Sequence, residues 1–322
     1  ARSLANAGDD VTPLLAYEPT WDEKHAAHAV LCLRLIDSDL ARQTMTTYAA
    51  DERRMVAFEV VQALPPEDCP GFWRWLADRG PSLDSVPDPV GERITSLGPL
   101  AKHAGTDVVE LDLRGLRITD FDGLQRQTSL ETLALGWGAE FDIHLLKHMP
   151  KLKRFLAEQC NITNINSMSC MTSVEDIRVN TNSLGDRLLS DLLPNAKILR
   201  LGFREINSDD SFTLKDASDV DRYDIPRTVN RLVLTFGNID DLSFIQSLPN
   251  LHVIELYYMV APTINPQHFQ TVQHLLLNEP IGGAYSPINL SPLSGNIGLK
   301  IYLPDDREIT IGEDEIPPKY LL

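Results

Sequence analysis

The sequence is short of the features that mark several large classes of protein. Cysteine is sparse: Cys32, Cys69, Cys160 and Cys170 are the only four in 322 residues, and no two form a CxxC pair. That excludes the dense disulfide framework of a small secreted domain and the paired-thiolate zinc sites. Reduced thiols in a cytoplasmic protein are the expectation, although the spacing leaves a Cys160–Cys170 pair open. No apolar run approaches the roughly 20 residues that cross a bilayer, so no membrane is expected among the partners. The opening ARSLANAGDD has neither the basic segment nor the apolar stretch of a signal peptide. It also lacks an initiator Met, which suggests a processed form or a piece of a longer protein.

Positive charge is scarce as well, with 29 Lys and Arg against 46 Asp and Glu and a formal charge of -17. A field of that sign repels a phosphate backbone, which excludes nucleic acid as a general partner. It favours a basic protein or peptide, the plain alternative being a solvated acidic surface that keeps the chain soluble. The motifs of chemistry are missing too: no P-loop, dinucleotide-binding glycine cluster, GxSxG or HExxH occurs. His25 with His28, and His144 with His148, have helical spacings suited to a metal, but neither pair has an evident third ligand. Neither a catalytic residue nor a metal or cofactor is expected.

What the chain does have is a repeat. The pattern apolar-x-x-apolar-x-apolar recurs as VVELDL from Val108, LETLAL from Leu130, LKRFLA from Leu152, VEDIRV from Val174, AKILRL from Ala196, VNRLVL from Val229, LHVIEL from Leu251 and VQHLLL from Val272. Successive copies start 22 residues apart, except for one interval of 33 before Val229 and one of 21 before Val272. All sixteen residues at the fourth and sixth positions are apolar in a chain that is 43% hydrophobic. Chance gives that outcome with a probability on the order of one in a million. A degenerate ninth copy, GLKIYL with Ile301 and Leu303, closes the series.

The alternation makes each motif a short strand, with the fourth and sixth residues pointing inward and the third, fifth and seventh outward. One repeat cannot bury its own inward side chains, whereas strands stacked in parallel share a continuous core. Ile118, Ile162, Leu184, Ile206 and Ile239, five positions beyond the sixth, predict a second inward layer. Phe121, Ile143, Ile165, Leu242 and Ile245 then return the chain through short helical or irregular segments.

The stretch LVLTFGNIDDLSFIQSLPNLHVIEL, Leu232 to Leu256, resembles the 22-residue leucine-rich-repeat class of bacterial internalins and a eukaryotic phosphatase-regulatory subunit. The resemblance covers about two thirds of the chain, from near Val108 to near Leu303. It implies an α/β solenoid with parallel strands on a concave face and short helices or irregular segments on the convex face. That class carries Asn at the ninth position, where this chain reads Leu116, Gly138, Cys160, Asn182, Arg204, Gly237, Met259 and Pro280. An unbroken asparagine ladder is therefore not expected.

The flanks read differently. Residues 1–80 form a helical N-terminal unit: a capping box over Thr20-Trp21-Asp22-Glu23 starts one helix, and further helices are predicted around Asp51–Leu64 and Glu67–Asp78. Residues 81–105, rich in proline at their start, read as linker and cap. The repeat array occupies 106–322, with an acidic insertion at about 207–228 that holds six aspartates. Asp216, Asp219, Asp221 and Asp224 lack EF-hand spacing, and a solvated loop is expected there.

The outward positions carry the functional expectation. The eighth position supplies Trp137, Phe203, Phe236 and Tyr258. With Tyr257 and with Arg178, Arg200 and Arg231 they make an aromatic and arginine patch of the kind that anchors interfaces. The alternative use of the eighth-position aromatics is to fill the strand-to-turn corner. The chain thus reads as a non-catalytic module binding a protein or peptide. It fits the sensor region of a larger protein with a layout similar to NLR proteins, or a free-standing acidic adaptor or inhibitor of a basic protein. An enzyme with its site in the N-terminal helices is the opposing reading.

Overall fold

The structure, a computed structural model, describes residues 2–79, 86–136, 138–157, 160–180, 184, 188–202, 204–206, 212–216, 224–238, 242–260, 264–277 and 289–318. The chain divides into two compact units, one made of Ala1–Glu140 with His148–Leu152 and the other of Phe141–Lys147 with Lys153–Leu322.

In the first unit, the helix Glu23–Ile36 buries Ala26, Ala29, Val30 and Leu33 of the spacing expected for it, and leaves Ile36 half-buried at its end. Its cap differs from the expected one. Asp22 is the N-cap and accepts from the His25 backbone N–H at 2.9 Å, while the Thr20 hydroxyl turns back to Glu18. An Asp at the N-cap satisfies an orphan amide and sets a negative charge at the positive helix end, which displaces the threonine. The second helix, expected from Asp51, runs Arg54–Ala63. Asp51 stands outside it as a buried carboxylate whose oxygens accept from Arg53 Nε at 3.0 and 3.1 Å. The third, expected from Glu67, is Pro70–Asp78, with proline in its first turn and a 3-10 turn at Pro66–Asp68 before it. A further helix, Asp39–Met45, was not expected; it is capped by Ser38, which accepts from Ala41 N at 3.0 Å.

The proline-rich stretch is packed where it is described: Val86, Val90, Ile94 and Leu97 are buried, and short helices form at Asp88–Gly91 and Gly98–His103. Strands β1 (Glu110–Asp112) and β2 (Thr132–Ala134) pair in parallel, Glu110 lying opposite Thr132. Arg79, just past the helix Pro70–Asp78, reaches Asp112 of β1 at 3.3 Å with only 4% of its side chain exposed.

The second unit holds the rest of the repeat. Strand β3 (Glu140–Asp142) pairs β5 (Asn161–Thr163) in a small sheet of two strands. Strands β4 (Arg154–Ala157), β6 (Asp176–Asn180), β7 (Ile198–Gly202), β10 (Arg231–Asn238), β11 (Val253–Val260), β12 (His274–Leu277) and β13 (Lys300–Tyr302) lie side by side in parallel, and β14 (Glu308–Thr310) returns antiparallel on β13. Their register is the sequence period made physical. Phe155 faces Ile177, Ile177 faces Leu199, Leu199 faces Leu232 and Leu232 faces Ile254. All sixteen fourth- and sixth-position residues are buried, none more than 5% exposed, and Ile301 and Leu303 join them. This is a leucine-rich-repeat fold.

The second inward layer forms at Ile118, Ile162 and Leu184, all buried, while the Ile206 side chain and Ile239 lie outside the described residues. The returns are 3-10 helices such as Ile165–Cys170, Ser243–Ser247 and Pro266–Phe269, the tight helix that a 22-residue repeat has room for. An amide ladder does exist, but ahead of the strands. Asn195 Nδ2 donates to Thr172 O at 2.8 Å, Asn250 Nδ2 to Arg227 O at 2.8 Å and Asn296 Nδ2 to Pro266 O at 3.0 Å, supplying partners to turn carbonyls.

The acidic insertion is not wholly a loop: β8 (Arg204–Ile206) and β9 (Phe212–Asp216) pair antiparallel, and β9 adds to β10 in parallel. Asp219 and Asp221 lie outside the described residues, and Asp224 is exposed and accepts from the Ser190 hydroxyl. The four cysteines are thiols rather than disulfides, with Cys32, Cys69 and Cys160 buried and Cys170 exposed.

Candidate functional site

The outward positions of the second unit's strands form columns whose order follows from the register. In the third-position column Arg154 stands opposite Asp176, Asp176 opposite Ile198, and Ile198 opposite Arg231. In the fifth-position column Leu156 stands opposite Arg178, Arg178 opposite Arg200, Arg200 opposite Val233, and Val233 opposite Glu255. In the seventh, Thr235 stands opposite Tyr257. Four of the eight anticipated site residues, Arg178, Arg200, Arg231 and Tyr257, are thereby gathered on one sheet face. Trp137 and Phe203 lie outside the described residues, as do the side chains of Phe236 and Tyr258, whose backbones run in β10 and β11.

Two carboxylates organise the arginines. Asp176, with a side chain 11% exposed, takes Arg154 Nε at 3.4 Å and Arg178 Nε at 3.6 Å. Glu255, 1% exposed, is gripped by the Nη2 and Nε of Arg231. These residues and Val233 correct the simple alternation, which sends every odd position to solvent. Long arginine stems lie across the sheet and shut water away from the shorter side chains beneath them.

Tyr257 joins the two groups. The Arg200 guanidinium carbon lies 5.5 Å from its ring centroid, a cation–π distance. Burial raises the Tyr257 phenol above its ordinary range. The Glu255 charge and a hydrogen bond to Glu255 add to the rise, while Arg200 and Arg231 oppose it. The phenol is therefore a neutral donor at physiological pH.

The face opens into a groove of about 560 Å³ whose walls carry six cations, Lys153, Arg154, Arg178, Lys197, Arg200 and Arg231. Against them stand Glu175 and Asp176, and Lys197 Nζ is engaged by Glu175 at 2.6 Å. Among the described residues that line it, cations thus outnumber carboxylates on this strand face, in a chain of net charge -17. Sequence reasoning missed Arg154, Lys153, Lys197 and the two carboxylates. The third-position column, read with the fifth, brings out Arg154, Asp176 and Arg231 together; the burial of Glu255 has no signal in the pattern.

No protein-family model matches the sequence, and no characterised protein matches it significantly. Solved structures are similar at a distance. An internalin, InlF, of Listeria monocytogenes aligns at 18% identity over 71% of this chain and 66% of its own, with a TM-score of 0.44. Internalin C2 of the same species aligns at 13% identity over 66% of this chain and 93% of its own, with a TM-score of 0.33. A plant peptide hormone receptor, RGFR1, in complex with RGF2, aligns at 12% identity over 61% of this chain and 30% of its own, with a TM-score of 0.33. The repeat register, rather than these likenesses, carries the fold.

The groups gathered here hold charge in place. Arginine keeps its proton at any physiological pH, so the face offers fixed donors rather than a proton shuttle. Among the described residues no three His, Cys, Asp or Glu side chains come together as a metal site. His144 meets Ser167 and Lys147 instead, with Nδ1 3.3 Å from the hydroxyl and Nε2 2.6 Å from Nζ. No helix among the described residues is long and apolar enough to cross a membrane.

Proposed function

We propose that the chain is a non-catalytic recognition module that holds a protein or peptide on the strand face of its second unit. The observation that carries this reading is the Arg178–Arg200–Tyr257–Arg231 constellation, set over buried Asp176 and Glu255 on paired strands. Arginine and tyrosine are the side chains that dominate interface energetics. Here the strand register and ion pairs fix them in advance, which lowers the ordering cost of association. The face also combines apolar floor, at Leu156 and Val233, with charged rim, which is the anatomy of a protein interface.

Affinity capture from source-cell extract tests this with the intact chain beside an Arg200→Ala, Tyr257→Ala variant of matching circular dichroism. A partner retained by the intact chain and lost from the variant is the expected result. The same set of proteins on both would overturn the strand-face assignment and move binding to another surface.

A further inference from the structure

The last copy of the repeat breaks a pattern that the others keep. In each of the eight earlier copies the two residues ahead of the motif, from Thr106-Asp107 to Gln270-Thr271, are polar or proline, as suits an exposed turn. The ninth copy places Ile297 there, and it is 83% exposed. The turn after β14 brings Gly312 against it: a Cβ on Gly312, whose φ is +93°, would lie 3.1 Å from Ile297 Cγ2. Both the left-handed backbone and the close approach call for glycine at that position. Gly312 also lines a groove of about 380 Å³, in which Ile311, Ile316 and Pro318 supply apolar walls and Asp314 and Glu315 the charge. Among the described residues no cation lines this groove, and neither carboxylate is ion-paired.

We infer that this end of the array docks a basic segment of a partner protein, through an apolar side chain flanked by Lys or Arg. The inference goes beyond the strand-face reading and does not depend on it. The fold leaves Ile297 and the apolar walls of the groove to water, so a partner side chain that covers them gains by burial. Asp314 and Glu315, with no cation of their own, select the charge of the residues beside that anchor, and the net charge of -17 attracts the same sign from a distance. A second copy of the chain, paired two-fold at this groove, would set the same carboxylates against one another. Strand addition is closed as well. Thr310 lies on β14, the last strand of the sheet, with its N–H held by Asp314 Oδ2 at 2.7 Å and its carbonyl accepting from the Glu313 and Asp314 N–H groups at 3.1 and 2.9 Å. The turn blunts the edge there, so the partner has to dock by side chains.

Isoleucine methyl NMR on the full chain reports this surface directly, because Ile297, Ile311 and Ile316 all stand at it. The probes are short peptides: a leucine flanked by lysines, the same with serine for the leucine, and the same with glutamates for the lysines. The Lys–Leu–Lys peptide should shift those three methyl signals together and leave those of Ile177 and Ile254, buried in the strand core, in place. By fluorescence anisotropy it should bind about tenfold or more tightly than either counterpart. An Ile297→Ser, Glu315→Gln variant, altered only at exposed side chains and with an unchanged thermal melt, should lose a similar factor. Equal binding of the serine peptide, preference for the glutamate peptide, shifts confined to other isoleucines, or no shift at the highest soluble peptide concentration would each overturn the proposal. So would movement of the three signals with protein concentration alone, accompanied by a sedimenting dimer, which would make a second copy the occupant. None of these results bears on the strand face, which the Arg200→Ala, Tyr257→Ala capture tests separately.

Discussion

Arg231 reaches diagonally from β10 to Glu255 on β11, closing over a carboxylate that is 1% exposed. The pair ties the third-position column to the fifth and holds Glu255 against the Tyr257 phenol. An ion pair with one buried member is poor evidence of net stability but strongly penalises removal of its partner.

Arg231→Gln should therefore destabilise the chain by about 2 kcal/mol, less than for a fully buried pair because Arg231 itself is 46% exposed. Glu255→Gln in the same molecule should recover part of the loss. Urea denaturation of the two singles and the double gives the coupling energy; a coupling near zero would mean the contact holds nothing.

Asp112 on β1 is fully buried between Arg79 at 3.3 Å and Arg114 at 2.7 Å. Burial depresses Arg79 most, and the Asp112 charge opposes it. Asp112→Asn should cost about 3 kcal/mol by stranding a buried guanidinium, with Asp112→Asn, Arg79→Met milder than the single change. The order of the urea midpoints decides it: a single variant as stable as the parent would contradict the pairing.

Alkali should loosen the first unit. Tyr48 is fully buried, donates to Leu15 O at 2.8 Å, and burial pushes its phenol up to about 12. A raised folded-state value contributes stability that is complete below the unfolded tyrosine value of about 10 and is lost as pH rises toward 12. Cys69, buried and also pushed up to about 12, adds a fall that begins near pH 9. Tyr48→Phe should lose about 1 kcal/mol at neutral pH and show a shallower decline above pH 10. Tyrosinate absorbance and denaturant melts across that range report both; an identical decline in parent and variant would contradict the assignment.

Thiol reactivity follows burial. In the folded chain a thiol reagent should modify Cys170 alone, because Cys32, Cys69 and Cys160 are 2%, 0% and 5% exposed, and all four should react in denaturant. Fewer than four reactive thiols after denaturation without reductant would point to a disulfide.

The repeat was legible because its core positions obey one geometric rule. Leu199 faces Leu232 across an interval that the sequence shows as 33 residues, and the fourth and sixth positions are buried throughout. The helix termini were less legible because caps compete locally: Asp22 displaced Thr20, and Ser38 opened a helix too short to show periodicity. Pro87 and Pro89 suggested a linker, yet Val86 before them and Val90 and Ile94 after them pack inward, since proline in a first turn continues a fold as readily as it breaks one. At the candidate site, the columns gave Arg178, Arg200, Arg231 and Tyr257. Their pairing with buried Asp176 and Glu255 depends on side-chain reach across strands, which no one-dimensional pattern carries.

The most direct test of the strand-face account is hydroxyl-radical footprinting of the full chain, alone and with a captured partner. The account predicts protection at Tyr257 and at the arginines around the groove, with Tyr17 and Met55 of the first unit, both exposed, unchanged. Protection at Tyr17 and Met55 with Tyr257 left reactive would contradict it.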